Sequence, residues 1–387
     1  MAGKAYMTVL IQSHFGDHHV HAVSWGIRQL GGEAVRFVIS DFPGELGLSI
    51  QFDGESPPIL SSIEPTLDAA IRSATTIWNR RQGRFTQIPT LADNDRAFVI
   101  QQSRVFRDAF RHLLRPDAFW VNQPRQAAQA ELKPLQLQAA QKAGLKVPRT
   151  LISNEPEEIR AFVQSCSRAI FKSLFFATWS GNRGRHNHRA ITYTAPVLKR
   201  DLEQDGALQA APGIYQEYVH KDVEIRAMCF GKSVLAIQIQ ARKSRGPESI
   251  DWRIDQKNMK FCNFELPVYI KNMLFDVMER LGIVFGCFDL IRTPEGEYVF
   301  IEVNQMGQFL WMEQGESSHR FLHAMCEFLI SGETDFKFKA PRMAISLERY
   351  LASDTYSADK AVFNSGKARR QEQQPHVELS FDREHRP

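Results

Sequence analysis

Apolar and polar positions alternate in a way that divides the chain into α/β units. Met7 to Ile11 is a compact apolar run, followed by the polar stretch QSHFGDHH. Val20, Val23, Ile27 and Leu30 then recur at helical spacing until Gly31-Gly32 ends the pattern, and Ala34 to Ile39 reads as a strand. No G-x-G-x-x-G lies between the first strand and its helix, so this opening unit is expected to be scaffold rather than a dinucleotide site. Further on, the pattern predicts a helix near Ile71 to Arg80, a helix from Phe98 to Leu114, and a boundary near Asn122.

Lys133-Pro134 through Ala143 reads as a helix with proline in its first turn and Gly144 as its stop. Asn154 with Glu157 suggests a capping box for the next helix, and Ala169 to Leu174 is strand-like. A polar, basic loop, TWSGNRGRHNHR, leads to a short strand at Ile191 to Tyr193. Glu224 to Phe230 and Ser233 to Gln240 predict a hairpin around Gly231-Lys232, a pair suited to a type II′ turn. Pro267 starts a helix whose apolar face is Ile270, Met273, Leu274, Val277, Met278 and Leu281, with Gly282 as its stop. A second hairpin pairs Val284 to Arg292 with Tyr298 to Asn304. Beyond about Pro341 the polar composition predicts a flexible tail.

Composition narrows the class only a little. At 387 residues, 43% hydrophobic and 24% charged, the chain suits a globular protein of two or three domains. A formal charge of +4 names no partner. Five scattered cysteines, never in C-x-x-C, argue against a zinc ribbon, a redox motif or a disulfide framework. The first apolar run is too short for a signal-peptide core, and no later stretch could span a bilayer, so a cytoplasmic protein is expected.

The second hairpin carries the strongest chemical signal. A two-residue turn at Glu295-Gly296 places Asp289 opposite Glu302, and alternation puts Asn304 on the face of Glu302. Two carboxylates and an amide oxygen are hard ligands of the kind that magnesium takes beside nucleotide phosphates; the bland alternative is a solvated hairpin face. Lys133, at a helix start, and Lys172, in an apolar strand, are cations that either reach water or meet an anion such as a triphosphate. Gln216-Glu217-Tyr218-Val219 is an extended segment in which Glu217 and the Val219 backbone could read an adenine edge. Glu224 and Arg226 share a strand face, fitting a ribose hydroxyl and a phosphate oxygen, or a surface ion pair. His14, His18 and His21, with Asp17 and His19 nearby, raise a zinc reading that no cysteine or spaced carboxylate completes.

The order KPLQLQAAQKAGLKVPRTLISN, IFKSL, IYQEYVHKDVEIR, IDWR and FDLIRTPEGEYVFIEVNQMGQFLWMEQ resembles the ATP-grasp maturases of ribosomal peptides, the graspetide or microviridin-type macrocyclases. DFPGE, TIWNRR and WVNQP extend the likeness back to Asp41, and it runs to about Glu327. The resemblance implies an α/β (α+β) ATP-grasp fold. Its expected parts are an amino-terminal Rossmann-like domain (1–124), a central subdomain (125–215), a carboxy-terminal subdomain with the magnesium hairpin (216–340) and the polar tail (341–387). It implies that ATP is bound by Lys133, Lys172, Glu217, Tyr218, Val219 and Glu224, and Mg2+ by Asp289, Glu302 and Asn304. Arg226 and Arg253 would be catalytic, facing the transferring phosphate, with Arg242 and Trp252 as weaker candidates for substrate contact. The implied reaction phosphorylates an Asp or Glu side chain of a precursor peptide and closes an ester or amide ring. A homo-oligomer that recognises the leader of that peptide follows from the same likeness, with no nucleic acid or membrane as partner.

This chain departs from the pattern in having Gln305-Met306 after Asn304, where the family usually has proline, and in a glycine-poor phosphate loop, Ser180 to Arg185. Three other readings are a ligase that adds an amino acid to a peptide, a peptide-binding protein without activity, and a nucleic-acid binder using Arg183, Arg185, His186, His188 and Arg189.

Overall fold

The computed structural model describes residues 7–81, 83, 93–175, 178–183, 186–191, 194–241, 259–313 and 320–372. They form two compact units, one of residues 1–125 with 308–387, the other of residues 126–307.

In the first unit Thr8–Ser13, Glu33–Val38, Thr76–Asn79 and Phe119–Val121 form a parallel sheet in which Thr8–Ser13 lies between Glu33–Val38 and Thr76–Asn79, and Leu48–Gln51 pairs antiparallel with Ile59–Ser62. Every residue of Thr8–Ser13 is buried, as a central strand of a parallel sheet requires. Helix His18–Gln29 follows, capped by Asp17, whose carboxylate accepts from the His19 N–H at 3.2 Å and the Ser13 hydroxyl at 2.9 Å. The helix expected near Ile71 to Arg80 is instead Pro65–Ser73 followed by the strand Thr76–Asn79. Thr-Ile-Trp-Asn is a short, fully buried run, and periodicity cannot distinguish such a strand from a helix segment.

Residues 308–340, expected beside the magnesium hairpin, belong with the amino-terminal unit. Helix Phe321–Ser331 is apolar on nearly every side and packs on helix His18–Gln29, where Cys326 Sγ sits 2.6 Å from the position that a Cβ on Gly26 would take. The polar tail is also ordered in part, as helices Leu347–Leu351 and Asp354–Glu372. Tyr350 donates to Asp359 at 2.8 Å, His21 Nδ1 lies 3.0 Å from Asp359, and the Phe363 ring stacks on Phe15 at 5.6 Å. One turn-spaced row on a polar helix is enough to dock it, and mean composition hides such a row.

The second unit contains a four-stranded and a five-stranded antiparallel sheet. The first is ordered Ala195–Pro196, Ala169–Lys172, Gly213–Glu217, Thr150–Ser153. The second is ordered Met259–Asn263, Ser233–Ala241, Val223–Phe230, Phe285–Arg292, Tyr298–Asn304. Helix Val268–Leu281 runs between Pro267 and Gly282 (φ 67°) as expected and packs Ile270, Leu274 and Val277 into a core with Phe288, Phe300 and Val303. The hairpin turn at Gly231-Lys232 also forms, with Phe230 opposite Ser233 and Gly231 at φ 57°. The Asn154/Glu157 capping box does not form. Pro156 starts that helix with Glu155 as its cap, Asn154 donates to the Gln209 carbonyl at 3.2 Å, and Glu157 pairs with Arg160 at 2.7 Å.

Candidate active site

The magnesium hairpin is built by an irregularity. Arg292, Ile291 and Leu290 pair with Tyr298, Val299 and Phe300, one residue out of step with the expected two-residue turn. A β-bulge between Asp289 and Leu290 restores the register, so that Asp289 faces Glu302 and Cys287 faces Asn304. Arg226 is opposite Asp289 on the other side. Arg226, Asp289 and Glu302 therefore form one row across three adjacent strands.

Every charge in that row has a counter-charge. Arg226 Nη1 lies 2.7 Å from Asp289 Oδ1, and Lys133 at the start of helix Lys133–Lys142 pairs with Glu302. Burial works against the Arg226 charge, but Asp289 and the neighbouring anionic groups reverse that effect and raise its pKa, so it stays a fixed cation. Gln136 holds the two elements in place: buried, it donates to the Val303 carbonyl at 2.9 Å and accepts from the Val303 N–H at 3.1 Å. Asn304 is engaged differently, since its Oδ1 accepts from the Met306 and Gly307 N–H groups at 3.1 and 3.0 Å. With both lone pairs occupied, it enters a coordination shell only by releasing one of these bonds.

The row opens on a cleft between the two sheets, lined by Lys172, Glu217, Tyr218, Val219, Glu224, Asp289 and Glu302 among others. Lys172 donates to Gln216 Oε1 at 2.8 Å, and Gln216 is itself held by Thr150 at 2.9 Å. Glu217 lies 3.7 Å from Arg149, and the buried Tyr218 ring packs under the Arg168 guanidinium at 4.4 Å. The Glu217 and Tyr218 N–H groups are paired with the carbonyls of Arg149 and Arg168. Val219 makes no main-chain hydrogen bond among the described residues. An unpaired donor and acceptor on an apolar wall is the arrangement that a purine edge needs. Residues present thus fit a nucleotide with its cation: a free main-chain edge, two lysines, and two facing carboxylates.

Sequence reasoning gave no role to Lys221, which pairs with Glu224 in the cleft, or to the two glutamines, Gln136 and Gln216, that position Lys133's helix and Lys172. Lys221 lies within the quoted IYQEYVHKDVEIR stretch, but no periodicity marks a buried glutamine. Arg242, Trp252 and Arg253 lie outside the described residues. The expected polar loop is a hairpin of strands Thr178–Arg183 and His186–Ile191, with residues 184 and 185 also outside the described set. The histidines disperse: His14 accepts from the Gly16 N–H at 3.1 Å, His19 from the Phe309 N–H at 3.1 Å, and His21 faces Asp359. Among the described residues no group of three or more His, Cys, Asp and Glu is placed to hold a metal ion.

The chain shares its architecture with crystallised macrocyclases. The macrocyclase MdnC from Microcystis aeruginosa MRC, bound with its precursor peptide MdnA, superposes with a TM-score of 0.72 at 26% identity, over 84% of this chain and 100% of that one. The macrocyclase MdnB from the same organism gives 0.66 at 28% identity, over 84% and 99%. The chain has an ATP-grasp fold, built like these peptide macrocyclases. A Chryseobacterium gregarium RiPP-associated ATP-grasp ligase, in complex with ADP and a leader and core peptide, has the same fold, with a TM-score of 0.72 at 24% identity over 84% and 97%. No protein-family model and no curated protein sequence matches this chain. No helix among its described residues is long and apolar enough to cross a membrane.

Proposed function

We propose that the ligase phosphorylates Asp or Glu side chains of a ribosomal precursor peptide and converts them to macrolactone or macrolactam crosslinks. The row Arg226, Asp289, Glu302 beside the cleft carries this reading, together with the likeness to MdnC in complex with its precursor. Val219 and Glu217 would hold the adenine, with Tyr218 as the wall beneath them, and Glu224 the ribose. Lys133 and Lys172 would hold phosphates. Asp289, Glu302 and Asn304 would hold Mg2+, which when bound supplies charge neutralisation at the phosphates.

The carboxylate oxygen of the peptide attacks the γ-phosphorus and ADP leaves, giving an acyl phosphate. A serine or threonine hydroxyl, or a lysine amine, then attacks the acyl carbon and loses its proton as inorganic phosphate departs. Arg226, a fixed cation in a dry site, stabilises the charge that accumulates at the transferring group without reorganising, and Arg253 is assigned the same task. Walls of Ile170, Ile239 and Leu290 keep water from the acyl phosphate. The reading extends to a cytoplasmic homo-oligomer that engages no nucleic acid, which light scattering of the purified chain and a salt-dependent binding assay test directly.

Mass spectrometry of a precursor peptide incubated with the ligase, ATP and Mg2+ is the decisive test. Loss of one water per ring is expected. Gain of an amino-acid residue instead would replace ring closure by peptide tailing, and an unchanged mass with every acidic precursor encoded nearby would overturn the proposal.

A further inference from the structure

The carboxyl end of the amino-terminal parallel sheet gathers cations that the ligase reaction does not use. The chain passes from Thr8–Ser13 outward to Glu33–Val38 and then to Thr76–Asn79 on the opposite side, so the switch in strand order falls between the first strand and Thr76–Asn79. Crevices at such switch points, outside the carboxyl ends of the strands, are where open parallel sheets take ligands. Here the crevice centres on Gln12, which is fully buried. Its main-chain carbonyl accepts from the N–H groups of Arg80 and Arg81 at 3.0 and 3.2 Å. Its side-chain oxygen accepts from Arg111 Nε at 3.2 Å, and Arg111 Nη2 reaches Asn79 Oδ1 at 2.9 Å.

Two observations point to a missing anion. Gln12 Nε2 is a buried donor with no acceptor, and Arg81 Nε is another. A buried donor left without an acceptor costs free energy unless a ligand supplies one. Around it stand Arg80, Arg81 and Arg111; Arg111 Nη1 lies 3.7 Å from the exposed Asp108, and the buried carboxylate beside Arg80 is Asp17, which is already committed to Ser13, to the His19 N–H and to Arg80 at 3.4 Å. Guanidinium forks beside an amide donor match the paired oxygens of a carboxylate or phosphate.

We propose that this crevice is a second ligand site of the ligase, taking an oxyanion, as a carboxylate or a phosphate group, on Gln12, Arg81 and Arg111. Half-buried Arg81 forms its entrance, so the ligand can come and go without unfolding the sheet.

Isothermal titration of the full chain with inorganic phosphate, and separately with acetate, at constant ionic strength tests this. Because the nucleotide cleft also holds cations, the titration is run on Lys172→Met as well. Saturable binding that survives Lys172→Met and weakens about tenfold or more in Arg81→Ala is expected, the size of one lost charge-assisted hydrogen bond. Preference for phosphate or for acetate then names the source of the oxyanion. Absence of saturable binding by both anions, or binding that disappears with Lys172→Met and ignores Arg81→Ala, overturns the proposal. Gln12→Glu, which keeps an acceptor for Arg111 and replaces the buried donor with an anionic oxygen, serves as the second variant, and its ADP affinity should match the parent while anion binding falls.

Discussion

The nucleotide cleft and the amino-terminal crevice both concentrate charge, but they dispose of it in opposite ways. In the cleft three cations face anions of the chain, Lys133 with Glu302, Lys221 with Glu224 and Arg226 with Asp289, while Lys172 donates to the Gln216 amide oxygen. In the crevice Arg80, Arg81 and Arg111 surround Gln12, with the buried Asp17 beside Arg80 and the exposed Asp108 beside Arg111 as their carboxylates. A self-paired site can stand empty at little cost and exchange partners when Mg2+ and phosphates arrive, because each arriving charge replaces one already present. A site with cations in excess leaves an anion still to be supplied.

Breaking the paired site should have the largest effect. Glu302→Ala removes a proposed metal ligand and frees Lys133, and turnover should fall at least about a hundredfold while the protein stays soluble, since even outer partners of a metal are worth that much. Retained turnover in a steady-state assay would remove Glu302 from the metal shell. Next in size is the border of the crevice, where Phe363 and Asp359 hold the last helix against Phe15 and His21. Deleting residues 353–387 should destabilise the amino-terminal unit by about 2 kcal/mol, measured by urea denaturation. An unchanged midpoint would mean that the helix adds nothing to the fold.

Val219→Pro tests the free edge of the cleft, because it removes one N–H and leaves the side-chain wall nearly intact. ADP binding should weaken about tenfold, whereas Val219→Ala should leave it unchanged. Equal losses in both variants would assign the contribution to the side chain.

The smallest effect concerns Glu313, whose carboxylate accepts from the Leu322 N–H at 2.6 Å and the Leu347 N–H at 2.9 Å. Burial raises its pKa to about 7, with the two N–H groups pulling the other way. An acid whose folded pKa is raised binds its proton more tightly when folded. Its contribution therefore favours the fold most at low pH, is lost as pH rises from its usual 4.5 toward about 7, and is flat above that. Glu313→Gln should flatten the dependence of melting temperature on pH in that window, and a parallel curve would exclude Glu313 as its source.

Much of the cleft is legible in the sequence because its chemistry follows strand alternation: Asp289, Glu302 and Glu224 are placed by counting in twos. Helix Val268–Leu281 is equally legible, with a proline before it and a left-handed glycine after it. The crevice is not. Gln12, Arg80, Arg81 and Arg111 come from three segments up to 99 residues apart, brought together by the parallel pairing of Thr8–Ser13 with Thr76–Asn79 and by helix Asp93–Leu113, which carries Arg111. The strand Thr76–Asn79 was itself hard to read, since four buried residues carry no period. The docked face of helix Asp354–Glu372 escaped for a related reason: Tyr356, Asp359 and Phe363 are a minority in a polar stretch, and their partners Phe15 and His21 are more than 300 positions away.

The bulge beside Asp289 separates the chemistry from the tip of its own hairpin. Pairs on the tip side follow the Thr293–Glu297 turn, whereas Asp289 with Glu302 and Cys287 with Asn304 follow the inner register. The turn is thus free to gain or lose residues, or to carry an inserted epitope, without moving the carboxylates. Anyone aligning or grafting this hairpin should count inward from Asn304 toward the bulge, never outward from the turn.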